Sequence, residues 1–594
     1  MCGINGIVRL AGSETVVDRD EVVRTRDAML RRGPDDAGVW LSAAGDAALA
    51  SRRLAILDLS PAGHQPFVSS DGRYRIVMNG EIYNFRALRR ELADCGAVFS
   101  SQSDTEVVLQ LYQREGAAML RRLRGMFGLA IWDDAAKRLL LARDPLGIKP
   151  LYYCTGGGLL RFASQVKALA AGGAVSREVD PAGLAGFLLW GSVPEPFTIC
   201  RAVRALPAGT FLTVENGRSG EPIPFYRFGD RFGEELEPAA AVEDSVRAHL
   251  ESDVPVAVFL SAGLDSGLIA ALARRHLPEP PATFTLRFDV LDGTPLDEGP
   301  LAAEVARTLG TRHIERRVGR ADFAAAWPAA LQAMDQPSID GFNTWLVSRA
   351  AHEAGLKVVL SGLGGDELFG SYPSFHDVPR LAARARGVSR IPGLPALWPH
   401  LPGFAGRPKL RGLLRYGTTL AGAYYLRRGL FLPEELPGLI GRERAAEGLA
   451  AYDPVADAAA ALEGLPAGDD PWLAVHALET ARYMRNQLLR DSDWASMDHS
   501  VELRVPLVDP WLRSHLAAHG FEPARGHGKA ALVKLAAPEL PAALWSRPKT
   551  GFYIPVMEWL EPGPGGRSRS LGSQSRRLAM RVLEEMGEMR EIGL

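Results

Sequence analysis

Two hydroxyls and one carboxylate fall within a short segment of the chain, residues 261–266 (SAGLDS). Small residues let the backbone pass close to a ligand, and free amides at the start of a following helix hold an anion. The segment is not a P-loop, because no Gly-Lys-Ser/Thr follows. Taken alone it fits an ordinary turn of an α/β domain, but its chemistry suits a pyrophosphate whose charge is shared with Mg²⁺.

A second segment, residues 361–370 (SGLGGDELFG), repeats this pattern of a small-residue loop that carries an aspartate. Apolar runs at 254–260 and 357–360 precede the two segments, and each run predicts a buried strand. Parallel strands end at one edge of their sheet, where such folds bind ligands. Asp265 and Asp366 are therefore predicted to share one Mg²⁺ on a triphosphate.

Cys2 is a candidate nucleophile near the start of the sequence. A small second residue normally permits removal of Met1, which would leave Cys2 with a free α-amine. Because the pKa of an α-amine lies near neutrality, this amine can act as the base for its own thiol. In isolation, a cysteine at this position is more readily a chance residue. The apolar run 4–10 predicts a strand that would carry Cys2 at its tip.

Composition limits the classes of protein to which the chain can belong. Its 594 residues are enough for more than one domain, and 47% hydrophobic with 23% charged residues is normal for a globular protein. A net charge of −2 implies no general attraction to nucleic acid. The four cysteines lack metal-ligand spacing, and no apolar run is long enough to span a bilayer. We therefore expect a cytoplasmic protein without a nucleic-acid or membrane partner.

Polar motifs follow one another through the N-terminal third in a distinctive order: RRGPDD at 31–36, SRRLAILD at 51–58, NGEIYN at 79–84, SDTE at 103–106, GMFGLAIWD at 125–133 and ARDPLGIKPLYY at 142–153. Their order and spacing resemble the glutaminase domain of class II (N-terminal-nucleophile) glutamine amidotransferases. With the segments 261–266 and 361–370 behind them, the chain resembles the glutamine-hydrolysing asparagine synthetase family, at least to residue 560.

The resemblance implies a fold and a domain order. An α+β N-terminal-nucleophile sandwich, with two antiparallel sheets between helices, is expected at 1–190, followed by a connector hairpin at 191–235. An α/β doubly wound parallel-sheet synthetase domain with a helical C-terminal part is expected at 236–562, and strands alternating with helices there favour the same conclusion. Residues 563–594 are expected to form a flexible linker and a short helix. A homodimer is possible by the same resemblance.

For the first domain, the resemblance implies a glutaminase site. Cys2 would attack the side-chain amide of glutamine, while Asn79 and Gly80 would stabilise the oxyanion. Three charged residues would bind the other end of glutamine: Arg53 its α-carboxylate, and Glu81 and Asp104 its α-ammonium group. A second interpretation of Asp104, as a helix cap before Thr105, stays open.

For the second domain, the resemblance implies a site for ATP and Mg²⁺. Its nucleotide-binding residues would be Leu260, Ser261, Gly263, Asp265, Ser266, Leu286, Ser361 and Gly362, with Asp265 and Asp366 as metal ligands. Lys529 would neutralise the charge that develops on pyrophosphate. The two leucines fit a plain hydrophobic core nearly as well, and Lys529 also fits a solvated surface lysine.

The expected reaction uses glutamine, ATP and a carboxylic acid. Ammonia released at Cys2 would attack an acyl-adenylate, giving an amide, AMP and pyrophosphate. Aspartate is the expected acceptor, but Leu363 stands where family members can carry Glu, and Arg287 replaces a usual Gly. These departures motivate a second hypothesis, amidation of a natural-product, cell-wall or polysaccharide precursor. A third, a non-enzymatic regulatory relative, is disfavoured because the set of site residues is complete.

Overall fold

Most strands of the chain lie before residue 225. The computed structural model describes residues 2–233, 235–401, 407–465, 470–522, 525, 528–547, 556–560 and 571–591. The strands are β1 (Cys2–Arg9), β2 (Asp36–Leu41), β3 (Ala47–Arg53), β4 (Phe67–Val68), β5 (Tyr74–Ile82), β6 (Gly125–Asp133), β7 (Arg138–Arg143), β8 (Tyr152–Gly156), β9 (Leu159–Ala163), β10 (Arg204–Ala205), β11 (Thr210–Glu215), β12 (Arg218–Ser219), β13 (Ile223–Pro224), β14 (Val256–Phe259), β15 (Ala282–Phe288), β16 (Arg312–Val318), β17 (Val358–Leu360) and β18 (Glu502–Arg504).

Helices cover the outside of the sheets and most of the C-terminal half. They are α1 (Arg19–Asp27), α2 (Phe85–Asp94), α3 (Asp104–Glu115), α4 (Val166–Ala171), α5 (Pro181–Trp190), α6 (Pro238–His249), α7 (Leu264–His276), α8 (Gly299–Leu309), α9 (Arg320–Ala333), α10 (Phe342–Glu353), α11 (Gly365–Leu368), α12 (Ser374–Ser389), α13 (Leu394–Leu397), α14 (Pro408–Arg411), α15 (Leu413–Tyr416), α16 (Leu420–Arg428), α17 (Leu436–Ile440), α18 (Arg442–Ala451), α19 (Pro454–Ala460), α20 (Pro471–Leu478), α21 (Arg490–Met497), α22 (Pro510–Ala518), α23 (Gly528–Ala536), α24 (Ala542–Ser546), α25 (Val556–Leu560) and α26 (Leu571–Glu591).

Two antiparallel sheets form the N-terminal sandwich, in the strand orders β10-β8-β9-β1-β3-β2 and β12-β11-β7-β6-β5-β4, with β13 beside β11. Successive side chains of a strand point to opposite faces. On β5, Val77 therefore joins the core between the sheets, while Ile76 and Met78 pack under helices α2 and α3. Helices α1 and α4 cover the other sheet. The expected sandwich is confirmed.

The third sheet is parallel throughout, in the order β16-β15-β14-β17-β18. Its central strands are short and apolar, as expected where helices cover both faces. Because β14 and β17 are neighbours, the loops that follow them, 261–266 and 361–366, leave the sheet side by side. The expected parallel sheet with a helical C-terminal part is confirmed, and it brings the two sequence motifs together.

A π-helix spans Glu479–Leu489 and leads directly into α21. Two other segments differ in detail from their sequence predictions. In the predicted connector, β10 pairs with β8 and β11 with β7, so these strands extend both N-terminal sheets. The C-terminal helix α26 has 21 residues and is not short. Residues 563–570 of the predicted linker lie outside the described residues. No described helix is long and apolar enough to cross a membrane.

A buried ion pair joins the N-terminal sandwich to helix α21 of the second domain. Arg32 donates two hydrogen bonds to Asp493, at 2.6 and 3.0 Å, and a third to the backbone oxygen of Cys2 at 3.3 Å. Lys149 lies 3.6 Å from the same carboxylate. Burial would raise the pKa of Asp493, but Arg32 and Lys149 outweigh it and hold the pKa below its usual value.

We expect Arg32→Ala to destabilise the chain by about 3–5 kcal/mol, because it leaves the buried carboxylate of Asp493 poorly compensated. The neighbouring Arg31 supplies a matched control, since its ion pair with Asp498 has an arginine side chain that is 67% exposed. Arg31→Ala should cost less than about 1 kcal/mol. Urea unfolding followed by circular dichroism measures both changes, and equal effects would contradict the assignment.

The same pair predicts a pH dependence. A carboxylate with a depressed pKa stabilises the fold above its unfolded pKa of about 3.9, and this stabilisation is lost as the pH falls through the folded value. The stability difference between the wild-type chain and Asp493→Asn should therefore shrink below about pH 4. A difference that stays constant from pH 7 to pH 3 in the urea midpoint would contradict this prediction.

Candidate active sites

The first strand carries Cys2 into the core between the two antiparallel sheets, where it is 4% exposed. Across β1 and β3, Cys2 pairs with Arg53. The backbone nitrogen of Cys2 donates to Oδ1 of Asn79 on β5, at 3.1 Å. That nitrogen is the atom that would become the α-amine once Met1 is removed. The fold thus brings the predicted nucleophile, its predicted base and two predicted binding residues together.

The groups around Cys2 shift the pKa of its thiol in opposite directions. Burial raises the pKa of its thiol, and the N-terminal charge, Arg53 and the backbone amide of Leu54 counter that rise. Because the thiolate is the nucleophilic form, a buried thiol of this kind depends on an adjacent base. The nitrogen held by Asn79 is suited to that role.

Asn79 and Gly80 are adjacent residues of β5, which pairs with β6. The Nδ2 donor of Asn79 is buried, and it makes no hydrogen bond to any residue that the structure describes. A buried donor without a partner is costly unless a ligand completes it. Gly80 has a φ of 153°, and a Cβ there would lie 2.0 Å from the backbone oxygen of Met126. Only glycine therefore lets β5 approach β6 this closely.

Asp104 stands at the start of α3, but it is not the cap. Ser103 caps this helix by accepting from the backbone nitrogen of Thr105. Oδ2 of Asp104 instead accepts from the backbone nitrogen of Ile82, at 2.9 Å, which fixes the carboxylate beside the end of β5. Burial, only partly opposed by this hydrogen bond, raises the pKa of Asp104 to about 6. The cap interpretation of Asp104 is thus wrong.

Glu81 completes an acidic group around the N-terminal nitrogen. It is buried, and burial together with the charges of Glu502 and Asp104 raises its pKa well above the usual value. Carboxylates forced together in this way favour either a shared proton or an added cation. The group suits the α-ammonium of an amino acid.

Arg53 is buried and held by main-chain oxygens of the following loop. Its Nη2 donates to the oxygens of Leu57 and Asp58, at 2.9 and 2.6 Å. These neutral acceptors orient the guanidinium without neutralising it, so its charge remains available to a carboxylate.

The segment 261–266 forms a tight hydrogen-bonded loop at the second site. Ser266 Oγ contacts Ser261 Oγ at 2.9 Å and accepts from the Ser261 nitrogen at 3.1 Å. Gly263 is the residue before α7, and its nitrogen donates to Ser261 Oγ. The loop therefore presents the N-terminus of a 13-residue helix toward the neighbouring loop, a geometry that favours anions.

Lys529 bridges the two predicted metal-binding carboxylates. Its Nζ lies 2.7 Å from Oδ2 of Asp265 and 3.2 Å from Oδ1 of Asp366. Burial lowers the pKa of Lys529, but the two carboxylates outweigh it and raise the pKa. One cation thus reaches both carboxylates. Two carboxylates from two loops also match the sites of Mg²⁺, which typically takes one or two of them and completes its shell with phosphate and water.

A cavity of about 850 Å³ opens over these loops at the carboxyl edge of the parallel sheet. All eight predicted nucleotide-binding residues line it: Leu260, Ser261, Gly263, Asp265, Ser266, Leu286, Ser361 and Gly362. Lys529 and Leu363 are on the same wall. Leu260 and Leu286 are thus both core and cavity residues. Arg287 is not on the wall, because it pairs with Asp297, Asp292 and Glu315.

Arg504 links the two sites, and the sequence analysis did not single it out. Its backbone oxygen accepts from Ser361 at the start of the nucleotide loop, at 2.9 Å. Its buried guanidinium donates to Glu502 at 2.5 Å and lies 3.9 Å from Glu81 of the glutaminase site. In the sequence, Glu502 and Arg504 stand out only as two charges in the otherwise apolar run 501–508.

Comparison with known proteins gives two family matches. The glutamine amidotransferase domain matches residues 1–226, and the asparagine synthase family matches residues 237–583. Together they cover both sites.

Individual relatives agree. A putative glutamine-hydrolysing asparagine synthetase of Mycobacterium tuberculosis is 34% identical over 95% of this chain and 89% of its own length. Glutamine-hydrolysing asparagine synthetase 1 of Bacillus subtilis is 30% identical over 94% of this chain and 88% of its own. A Gibberella zeae protein named amidase chry2 is 30% identical over 63% and 60%. The chain is a glutamine-hydrolysing ligase that belongs to the asparagine synthetase family.

Proposed function

We propose that the chain makes an amide from glutamine, ATP and a carboxylic acid, with Cys2 as the nucleophile of its first half-reaction. The α-amine of Cys2 takes the thiol proton, and the thiolate attacks the side-chain amide of glutamine. The tetrahedral oxyanion accepts hydrogen bonds from Asn79 Nδ2 and from the Gly80 backbone. The amine passes its proton to the departing ammonia, and water hydrolyses the glutamyl thioester to glutamate.

In the second half-reaction, an acceptor carboxylate attacks the α-phosphorus of ATP and displaces pyrophosphate. Ammonia then attacks the acyl-adenylate, which gives the amide and AMP. Asp265 and Asp366 are the residues that would hold Mg²⁺, which would offset the negative charge of the phosphates. Lys529 would leave its carboxylate partners for the pyrophosphate as charge develops there. The observation that supports the proposal is that Arg504 contacts residues of both candidate sites, Ser361 and Glu81.

Aspartate is the reference acceptor, because the relatives named above are asparagine synthetases. A second candidate is a different carboxylic acid, and specific observations favour it. Leu363, on the wall of the nucleotide cavity, supplies no acid or base. Asp340 and Asp491 line the same cavity, and two carboxylates there disfavour the second carboxylate of aspartate.

Cys2→Ala tests the two-site proposal. This variant should lose glutamine hydrolysis and glutamine-dependent amide formation but keep pyrophosphate release when ammonium chloride is supplied. Asp366→Asn should do the reverse, keeping glutamine hydrolysis and losing pyrophosphate release. Glutamate and pyrophosphate assays of the full chain measure both. Glutamine hydrolysis that persists in Cys2→Ala would show that the nucleophile is assigned wrongly.

Asn79→Asp tests the proposed oxyanion donor. The substitution keeps an acceptor for the Cys2 nitrogen but replaces the Nδ2 donor with an oxygen. We expect the kcat of glutamine hydrolysis to fall by about 10²–10³, the usual effect of losing one such donor. Ammonia-dependent pyrophosphate release is the internal control. A fall in kcat of less than about threefold would argue against this role.

A further inference from the structure

A second cavity, of about 610 Å³, adjoins the nucleotide cavity. The two share Asp340 and Asn343 as wall residues, so they meet at these side chains. Gln574 and Leu578 of helix α26, the segment for which the sequence suggested no role, form part of its wall. Each cavity alone has the volume that typically holds a drug-sized ligand. All the predicted nucleotide-binding residues line the other cavity, so none of them assigns an occupant to this one.

Aromatic faces line the second cavity, contributed by Trp190, Trp327, Phe342 and Tyr424. The polar atoms of both indoles already have partners. Trp190 Nε1 donates to the Tyr452 hydroxyl at 2.7 Å, and Trp327 Nε1 donates to Glu585 of α26 at 2.8 Å. Each indole thus leaves only apolar surface for an occupant, which suits an aromatic or extended apolar group.

Two polar side chains on the wall lack partners within the described part of the chain. Gln487 is only 6% exposed, and its amide makes no hydrogen bond to a described residue. Lys409 forms no ion pair with a described residue, although it is half-buried. Burial and the nearby cations Arg576 and Arg427 lower its pKa to about 8. An amide and a cation left in this state favour a ligand that supplies an acceptor and an anion.

The junction of the cavities has the opposite charge. Burial and the charge of Asp340 raise the pKa of Asp491 to about 7. Ser338 and Trp494 donate to Asp491, at 2.6 and 2.8 Å, so this carboxylate is held in place. A hydrogen-bond donor or amine is favoured here, whereas a second carboxylate close to the reacting one is repelled.

We propose that the acceptor is an acid larger than aspartate, with an amine or hydroxyl beside its reacting carboxylate, an apolar or aromatic body in the second cavity, and a distal anionic group at Lys409. This inference rests on the proposed ligase function and names the substrate class of its second site. It gives α26 a role, because that helix closes the cavity and orients Trp327 through Glu585.

The probes are 4-carboxyphenylalanine and phenylalanine, which differ only in the distal carboxylate, with aspartate as the reference. Pyrophosphate release is measured on the full chain with ATP, Mg²⁺ and ammonium chloride, so that the glutaminase site is not needed. We expect kcat/KM to follow the order 4-carboxyphenylalanine, phenylalanine, aspartate. The first should exceed the second by about tenfold or more, as a desolvated charge pair allows.

Variants of residues on the wall of the second cavity test whether this cavity sets the preference among the acids. Lys409→Gln should remove the advantage of 4-carboxyphenylalanine over phenylalanine, and Gln487→Leu should lower kcat/KM for both relative to aspartate. Lys534→Gln, which removes an exposed lysine of α23, is the matched control and should preserve the ratio. An unchanged ratio in Lys409→Gln, or a preference for aspartate, would overturn the inference. If no acid releases pyrophosphate, aspartate included, the ligase function itself fails and the inference fails with it.

Discussion

The arrangement of both sites depends on the hydrogen bonds and ion pairs of Arg504, whose guanidinium is buried. Its backbone oxygen holds Ser361 in the nucleotide loop, and its side chain donates to Glu502 and to the main chain of His249 and Glu251. The charges of Glu502 and Glu81 raise its own pKa despite burial. A buried cation that serves carboxylates of both domains cannot be removed without leaving charge uncompensated. Arg504 therefore connects the two candidate sites through direct contacts.

Helix α21 and the π-helix before it connect the domain contact with the two cavities. Asp493, paired with Arg32 of the sandwich, and Asp491, on the wall of the nucleotide cavity, lie on the same short helix α21. That helix follows directly on a π-helix, whose residue Gln487 faces the second cavity. π-Helical turns are frequent at functional sites because they shift side chains from their regular positions. One continuous helical segment thus carries residues of the domain contact and of both cavity walls.

The sequence was sufficient for the fold class and for the positions of the two loops that form the candidate nucleotide site. Hydrophobic patterns and the order of the motifs indicated the antiparallel sandwich and the parallel sheet. The loops 261–266 and 361–366 meet as expected because β14 and β17 are neighbours. The cap interpretation of Asp104 failed because Ser103, one residue earlier, takes that position. Arg504 and Lys409 escaped notice because their importance comes from long-range packing. A charged residue in a sequence has no visible partner, and only the fold reveals whether it is paired, buried or facing a cavity.

The ratio of glutamate formed to pyrophosphate released tests the central claim most directly. It should be measured with glutamine, ATP, Mg²⁺ and an acid that the wild-type chain activates, in the wild type and in Arg504→Lys. This variant keeps the charge but loses the planar fork that spans both sites. If circular dichroism shows that the variant is folded, we expect its ratio of glutamate to pyrophosphate to be several-fold above that of the wild type. Glutamine would then be hydrolysed without amide formation. An unchanged ratio in the folded variant would contradict the claim that Arg504 couples the two sites.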